Sequence, residues 1–243
     1  MKNPMKGFLL VAGLVVLSLV ILFLVYYRRN GAGIDRTRRL LTWLAAPQDY
    51  PSWAIQAGQR CSQAPFLLPT SGYVGYLWDD SFRPGHRHQG IDIFGGADVN
   101  VTPVVAAYSG YLTRLPEWRS AVIMRIPDDP LQPGRQIWTY YTHMADAQGR
   151  SFIEQEFPPG TVEKYVQAGS LLGYQGNYSG TPGNPVGVHL HFSIVLDDGR
   201  GKFLNELEIA NTLDPSAYLG LPLNAGQNQD ANPVCVDAGE TDG

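Results

Sequence analysis

Basic residues are scarce over most of this 243-residue chain. Residues 1–39 carry seven lysines and arginines against one acidic residue, Asp35, whereas the remaining positions carry 11 basic and 21 acidic residues. A surface with that excess of negative charge would repel a phosphate backbone rather than release its counterions. The charge distribution therefore argues against a nucleic-acid partner.

Cysteine is nearly absent as well, since Cys61 and Cys235 are the only two. One precedes and the other follows the predicted folded domain, so a disulfide between them would tie its two ends together. Such a bond fits an oxidising compartment. Two unrelated thiols, buried or free, remain the alternative, because a count of two is weak evidence for a bond.

Two common catalytic signatures are also missing. No HExxH sequence occurs, which excludes the commonest helix-borne pattern of zinc peptidases, so a zinc site has to be built on strands. The segment GNYSG at 176–180 is not a serine nucleophile elbow, because its serine comes one place too late and no helical pattern follows. No repeat of fixed period is evident.

What the chain does have is one long apolar run. Phe8 to Tyr27 contains twenty uncharged, mostly aliphatic residues, which at roughly 1.5 Å per residue matches a hydrocarbon core of about 30 Å. Tyrosines and arginines follow it instead of the small residues of a cleavage site. We therefore predict a retained transmembrane helix that anchors the chain to the membrane through residues 1–29.

The orientation of this predicted anchor is supported by one signal and opposed by another. Arginines 28, 29, 36, 38 and 39 outnumber Lys2 and Lys6, so positive-inside counting would place the bulk of the chain in the cytoplasm. The cysteine pair points to the opposite side. We expect a single-pass membrane protein whose main domain is extracellular or periplasmic.

Beyond the anchor the pattern changes twice. Residues 30–65 are predicted to form a stalk, in which Arg36 to Ala46 fits a short amphipathic helix at the membrane surface that Pro47 ends. Residues 66–220 contain many short apolar or alternating runs separated by turn residues, which indicates a mainly β domain, an antiparallel sandwich or barrel-like fold. Brief helical turns could be added by Phe152 to Phe157, Thr161 to Ala168 and Asp214 to Leu219. Residues 221–243 are predicted to be a tail.

The histidines carry the chemistry. In the apolar run Val188 to Leu196, His189 and His191 are two positions apart, so on a strand both project from one face while Leu190 and Phe192 project from the other. His88 and Asp92 are four apart, which also permits a shared face, and Gly90 lets the backbone bend between them. Each motif is weak by itself.

The combination of His88, Asp92 and His191 is a suitable ligand set for zinc. Catalytic zinc sites use nitrogen and oxygen ligands and keep three protein ligands with a fourth position open to water. His86 has no place in this set, and we interpret it as a solvated or turn-lining histidine.

Three segments together resemble the motifs of the lysostaphin/LytM-type peptidases, family M23. They are GHRHQGIDI at 85–93, YTHM at 141–144 and GVHLHFSI at 187–194, and their order and spacing agree as well. Supporting similarity lies in the segment GSLLGYQGN at 169–177, and the resemblance covers about residues 66–218. Between His143 and Gly169 the chain is longer than in the family, and we expect this loop to border the substrate groove.

The resemblance implies a LytM-type peptidase domain that binds one zinc ion through His88, Asp92 and His191. It also implies catalytic roles for His143 and His189, one taking a proton from water and the other steadying the oxyanion, with the division between them open. The implied activity is hydrolysis of peptide bonds in peptidoglycan cross-links or stem peptides. The alternative is a latent or non-catalytic module that binds or regulates within a cell-envelope complex, and peptidases of other proteins share the same chemistry.

Overall fold

A computed structural model describes the backbone of residues 4–81, 85–228 and 232–235, and the side chains of these residues except 4–12 and 23–34. Helix α1 spans Pro4–Ala45, and two short 3-10 turns, Pro47–Asp49 and Pro51–Trp53, follow it. The predicted helix that Pro47 ends is thus the last part of α1. Half of the predicted span from Phe8 to Tyr27 falls outside the described side chains. Over the residues whose side chains are described, no helix is sufficiently long and apolar to cross a membrane.

The folded domain is mainly antiparallel β, as predicted. Its strands are β1 Tyr73–Tyr76, β2 Ile91–Phe94, β3 Pro103–Val105, β4 Gly110–Thr113, β5 Val122–Ile126, β6 Ile137–Thr142, β7 Lys164–Val166, β8 Leu171–Tyr174, β9 Leu190–Leu196 and β10 Thr212–Leu213. Seven of them form one sheet in the order β1-β2-β9-β6-β5-β4-β7, with β10 also paired to β9, while β3 and β8 form a separate pair. A short helix, α2 Ser216–Leu219, follows β10 and confirms the predicted helical turn.

The two faces of the large sheet have different roles. Alternate residues of the central strands, such as Ile93, Tyr141 and Phe192, point into the main hydrophobic core and are almost completely buried. On the opposite face lie two smaller apolar clusters. One is formed by β5, β6 and β9 around Trp138 and Tyr140, and the other lies against β1 and β2 and includes Leu40 and Trp43 of α1. The strip of sheet between these clusters carries the predicted site.

Two local predictions differ from the structure. Leu40 and Trp43 do not face a membrane surface, because both are buried against Tyr73 and Phe94 of the sheet. The apolar side of this helix segment therefore packs on protein. The predicted helical turn within residues 161–168 is wrong, since Lys164–Val166 instead forms strand β7 on the edge of the sheet beside β4. There Tyr165 packs edge-on against Tyr111 of the neighbouring strand.

Cys61 and Cys235 are joined by a disulfide, with their Cα atoms 5.2 Å apart. The bond connects the segment before the sheet to the segment after it, over a separation of 174 positions. Cys61 is buried in the main core and belongs to the same apolar cluster as Leu219 and Leu221. The bond therefore fastens the segment at Cys235 to the folded domain.

Replacement of both cysteines by serine is expected to lower the free energy of unfolding by about 2–5 kcal/mol, because the bond closes a very long loop and restricts the unfolded chain. Urea unfolding measures the effect, and wild-type protein kept under reductant serves as the matched control. Identical unfolding midpoints for the oxidised wild type and the double variant would show that the bond does not form in the folded protein.

Candidate metal centre

The register of strand pairing brings Asp92 and His191 together. Asp92 of β2 lies directly opposite His191 of β9, and Thr142, the last residue of β6, lies opposite His191 on the other side. Leu190 and Phe192, the neighbours of His191, point into the main core. The predicted alternation along β9 is confirmed, and His143, which follows β6, comes to the same end of the sheet.

His88 reaches the same place from a bend before β2. A Cβ atom added to Gly90 would lie 2.2 Å from the backbone oxygen of Phe192, so no side chain fits where this bend passes β9. The absence of a side chain is therefore needed for the close approach of two backbones. The segment from His88 to Asp92 is not a continuous strand, and the bend brings the imidazole of His88 over the carboxylate of Asp92.

Three ligand atoms converge at this point. His88 Nε2 lies 3.1 Å from Asp92 Oδ1 and 3.1 Å from His191 Nδ1, and the latter two atoms are 2.8 Å apart. Ligand atoms that each lie about 2.0 Å from one tetrahedral ion are separated by roughly 3.3 Å. The observed separations are within about 0.5 Å of that value, so the three residues fit a single small cation.

Hydrogen bonding shows why a cation suits this cluster. His88 Nδ1 lies 2.9 Å from the backbone oxygen of Leu77, and because a carbonyl only accepts, Nδ1 carries the proton. In the neutral ring His88 Nε2 then holds a lone pair, which faces the Asp92 carboxylate oxygen. Two acceptors this close repel each other unless a proton or a metal ion lies between them. The carbonyl of Leu77 acts as the outer partner that orients a metal-binding histidine.

The Asp92 carboxylate stays ionised in this buried place. Burial raises its pKa. The nearby His88 and His189 side chains and a hydrogen bond from His191 together lower the pKa by more than burial raises it, so the net pKa lies well below the ordinary value. Burial lowers the pKa of His88, but the charge of Asp92 and the hydrogen bonds to Asp92 and Leu77 together outweigh burial, so the net pKa is raised. Burial also lowers the pKa of His191. The centre thus holds one negative charge among imidazoles, which suits a divalent ion.

His189 and His143 form a second pair beside the three ligand residues. His189 Nδ1 donates to the Gly187 oxygen at 2.7 Å, and His143 Nδ1 donates to the Tyr178 oxygen at 2.7 Å. Their ring centroids are 4.4 Å apart, and His189 Nε2 lies 3.7 Å from Asp92 Oδ1. With both Nδ1 atoms protonated, the Nε2 lone pairs are the positions that can accept a proton.

Burial keeps both of these histidines neutral. It lowers the pKa of His189 to about 4, and the ring of His189 is stacked on Phe94 at 4.9 Å between centroids. Burial likewise lowers the pKa of His143 below its ordinary value. Neither neutral ring offers an N–H at Nε2, so a hydrogen bond to an oxyanion becomes available from this atom only after the ring has taken a proton.

His143 has an unusual backbone conformation. Its φ is +72°, in the left-handed region that residues other than glycine rarely adopt. Gly176 packs directly against this turn, since a Cβ there would lie 2.5 Å from the His143 oxygen and 2.2 Å from the Ala145 oxygen. Gly176 therefore supports the turn that presents His143, as strained residues at functional sites require of their surroundings.

The five predicted site residues lie together on the floor of a groove of about 830 Å³. The last turns of α1 form one side of it, where Leu41 is 63% exposed. Across the sheet, Trp118, Tyr140 and Leu207 line the other side, and Leu207 is 69% exposed. These walls were not predicted from the sequence. Thr142 and Tyr140 alternate along β6 with buried core residues, which is the signal that could have placed them on the groove side.

Other sequence-based interpretations have different outcomes. His86 is half-buried, its ring centroid lies 6.5 Å from that of His88, and it is not among the three converging ligand residues. The insertion between His143 and Gly169 was expected to border the groove. Instead its residues Ile153 and Phe157 are buried in the main core, and no residue of 149–160 lines the groove among those described.

Comparison with known proteins returns matches among solved structures only. No protein-family model and no curated protein matches the chain. The catalytic domain of the antimicrobial peptidase lysostaphin from Staphylococcus simulans matches with 21% identity and a TM-score of 0.39, over 61% of this chain and 90% of that one. The prophage-encoded M23 protein EnpA from Enterococcus faecalis, a variant of its catalytic domain, matches with 20% identity and a TM-score of 0.36, over 61% of this chain and 95% of that one.

The chain resembles M23 peptidases. Against a longer lysostaphin chain the identity is 20% and the TM-score 0.40, over 61% of this chain and 49% of that one, so this chain spans about half its length. Likenesses of this size do not assign an activity, which has to be supported by the geometry of the site itself.

Proposed function

We propose that the chain is a zinc-dependent endopeptidase that hydrolyses peptide bonds in the cross-links or stem peptides of peptidoglycan. One observation carries the proposal. Two imidazole nitrogens and a carboxylate oxygen converge within 3.1 Å of one another on the floor of an open groove, with two neutral histidines beside them. This combination provides ligands for one ion, proton acceptors next to it, and room for an extended peptide.

The roles of the protein groups follow from their protonation states. When bound, zinc would polarise the peptide carbonyl. It would also lower the pKa of a water molecule, so that hydroxide is available near neutral pH to attack that carbonyl. His189 Nε2, 3.7 Å from Asp92 Oδ1, is a proton acceptor beside the ligands. Once protonated, the ring has an N–H that can donate to the oxyanion or to the leaving amine. His143, with its ring 4.4 Å from His189, can share this proton.

The substrate class rests on the resemblance to M23 peptidases and on the open shape of the groove. A peptidase of other proteins would use the same ligands and bases. A non-catalytic module is not favoured, because the signature expected of it is a missing ligand or base, and all five residues are present and close together.

The test of the proposal uses the full chain, purified with its metal content measured, and intact peptidoglycan. We expect one zinc per chain and the release of new free amino groups from peptidoglycan, with both lost in His191→Ala. His86→Ala is the matched control, since it removes a nearby histidine outside the ligand set and should retain metal and activity. Zinc-loaded protein that never releases amines from peptidoglycan would support the non-catalytic alternative instead.

We also propose that the chain is anchored in a membrane, with the domain outside the cytoplasm. The support is the apolar run from Phe8 to Tyr27 in the sequence and the disulfide between Cys61 and Cys235. A reporter fused after Gly243 tests the orientation, because an alkaline phosphatase reporter is active only where disulfides form. An inactive phosphatase, together with an active β-galactosidase fused at the same position, would overturn the proposed placement, because β-galactosidase works in the cytoplasm.

A further inference from the structure

The turn at Leu77–Asp80 holds His88 through three hydrogen bonds. His88 Nδ1 donates to the Leu77 oxygen at 2.9 Å, the His88 N–H donates to the Asp80 oxygen at 2.8 Å, and the Asp79 N–H donates to the His88 oxygen at 2.8 Å. Both the ring and the backbone of His88 are therefore positioned by this turn. A displacement of the turn would move the imidazole away from Asp92 and His191.

Helix α1 fastens this turn from outside the sheet. Arg36 Nη2 lies 2.7 Å from Asp80 Oδ2, and the two side chains are only 7% and 12% exposed. The Asp80 carboxylate also accepts a hydrogen bond from the Ser81 N–H through its other oxygen, so both of its oxygens have partners. An ion pair this well buried holds its two partners in one geometry, and loss of either leaves a buried charge without its counterpart.

The segment after the sheet holds the same turn from another side. The Trp78 N–H donates to the Leu223 oxygen at 2.9 Å, and the Ala225 N–H donates to the Trp78 oxygen at 2.9 Å. Arg36 adds a contact to this segment through the Asn228 oxygen at 3.4 Å. The turn that positions His88 is thus held between residues 223–228 and helix α1.

We propose that Arg36 is a positioning residue for the metal centre: through Asp80 it holds the turn that orients His88, and so couples helix α1 to metal binding. The inference rests on the proposed function, because it takes His88 as a metal ligand. If Arg36 has this role, α1 is part of the domain that binds the metal and is not merely a linker to that domain. Outer partners of metal-ligating histidines typically change metal affinity by about 10–100-fold when they are removed.

The experiment measures zinc affinity by competition with a chelator in a graded series at position 36 of the full chain. Lysine keeps the charge with a single contact, glutamine keeps only a hydrogen bond, and methionine keeps neither. We expect affinity to fall in the order Arg36, Arg36→Lys, Arg36→Gln and Arg36→Met, with a loss of about 10–100-fold at the end. Partial rescue by lysine is the signature of the ion pair.

Arg135→Met is the matched control. Arg135 makes a comparable ion pair with Asp129, whose side chain is fully buried, but this pair contacts Tyr218 and none of the site residues. The control should lower stability in urea and leave zinc affinity unchanged. Equal zinc affinity in the wild type and in every folded member of the Arg36 series would overturn the inference, as would an equal loss of affinity in Arg135→Met. Failure of the wild type to bind zinc would instead overturn the proposed function.

Discussion

Replacement of Asp92 by alanine is expected to abolish zinc binding and peptide hydrolysis together. Asp92 Oδ1 lies within 3.1 Å of both ligand nitrogens, and it supplies the only negative charge of the ligand set. Without it, a dication would be held by two neutral imidazoles in a buried place. Because the Lewis acid contributes several kcal/mol to transition-state stabilisation, activity should fall by at least about 10³-fold. Metal content by mass spectrometry and amine release from peptidoglycan are the two readouts.

Asp197→Ala provides the control for removal of a carboxylate. Asp197 lies just beyond the far end of β9, where its side chain accepts hydrogen bonds from Gln136 and Trp138. The variant should be less stable in urea but retain zinc and activity. Zinc bound at full stoichiometry by Asp92→Ala would mean that the ion is held elsewhere.

Replacement of His189 by alanine is expected to leave zinc bound and to slow hydrolysis by about 10²–10⁴-fold. A decrease in rate of this size is typical for the loss of a general acid–base group. His189 is placed next to the ligands but is not one of the three converging residues, so the metal should stay. Single-turnover kinetics at saturating substrate separate the chemical step from binding.

The same measurement on His143→Ala and on the double variant tests whether the two histidines share one proton. Groups that act as a unit have non-additive effects, so the double variant should lose little more activity than the more damaging single variant. Full multiplication of the two losses would show that they act in separate steps. Loss of zinc from His189→Ala would show that it is a ligand.

Much of the candidate site could be predicted because it depends on the side-chain period of a strand. His189 and His191 share one side of an apolar run, and their neighbours Leu190 and Phe192 face the core, as their alternation indicates. The partner strand could not be read from local pattern, since β2 and β9 are about one hundred positions apart. The resemblance of the motifs to a known family supplied that pairing.

The role of Gly90 shows where local reasoning fell short. The bend between His88 and Asp92 was expected, but the need for glycine comes from the backbone of Phe192 on a distant strand. A contact of this kind depends on how closely two strands approach each other. Strand β7 was missed for a similar reason, because a three-residue edge strand is defined mainly by its neighbour.

The surroundings of α1 were predicted least well. Leu40 and Trp43 have the spacing of an amphipathic helix, and the sequence analysis assigned their apolar side to a membrane surface. The apolar side of a helix can pack either on lipid or on an apolar patch of protein, so the spacing of the apolar residues cannot distinguish the two. The structure buries both residues against the sheet, and with Arg36 they make this part of α1 a wall and support of the site.

The most direct test of the metal centre is a crystal structure of the zinc-loaded full chain, with diffraction measured on both sides of the zinc absorption edge. We expect one anomalous peak on the floor of the groove, at about 2.0–2.2 Å from His88 Nε2, Asp92 Oδ1 and His191 Nδ1. A peak at another position, or an ion there that Asp92 does not contact, would contradict the assignment.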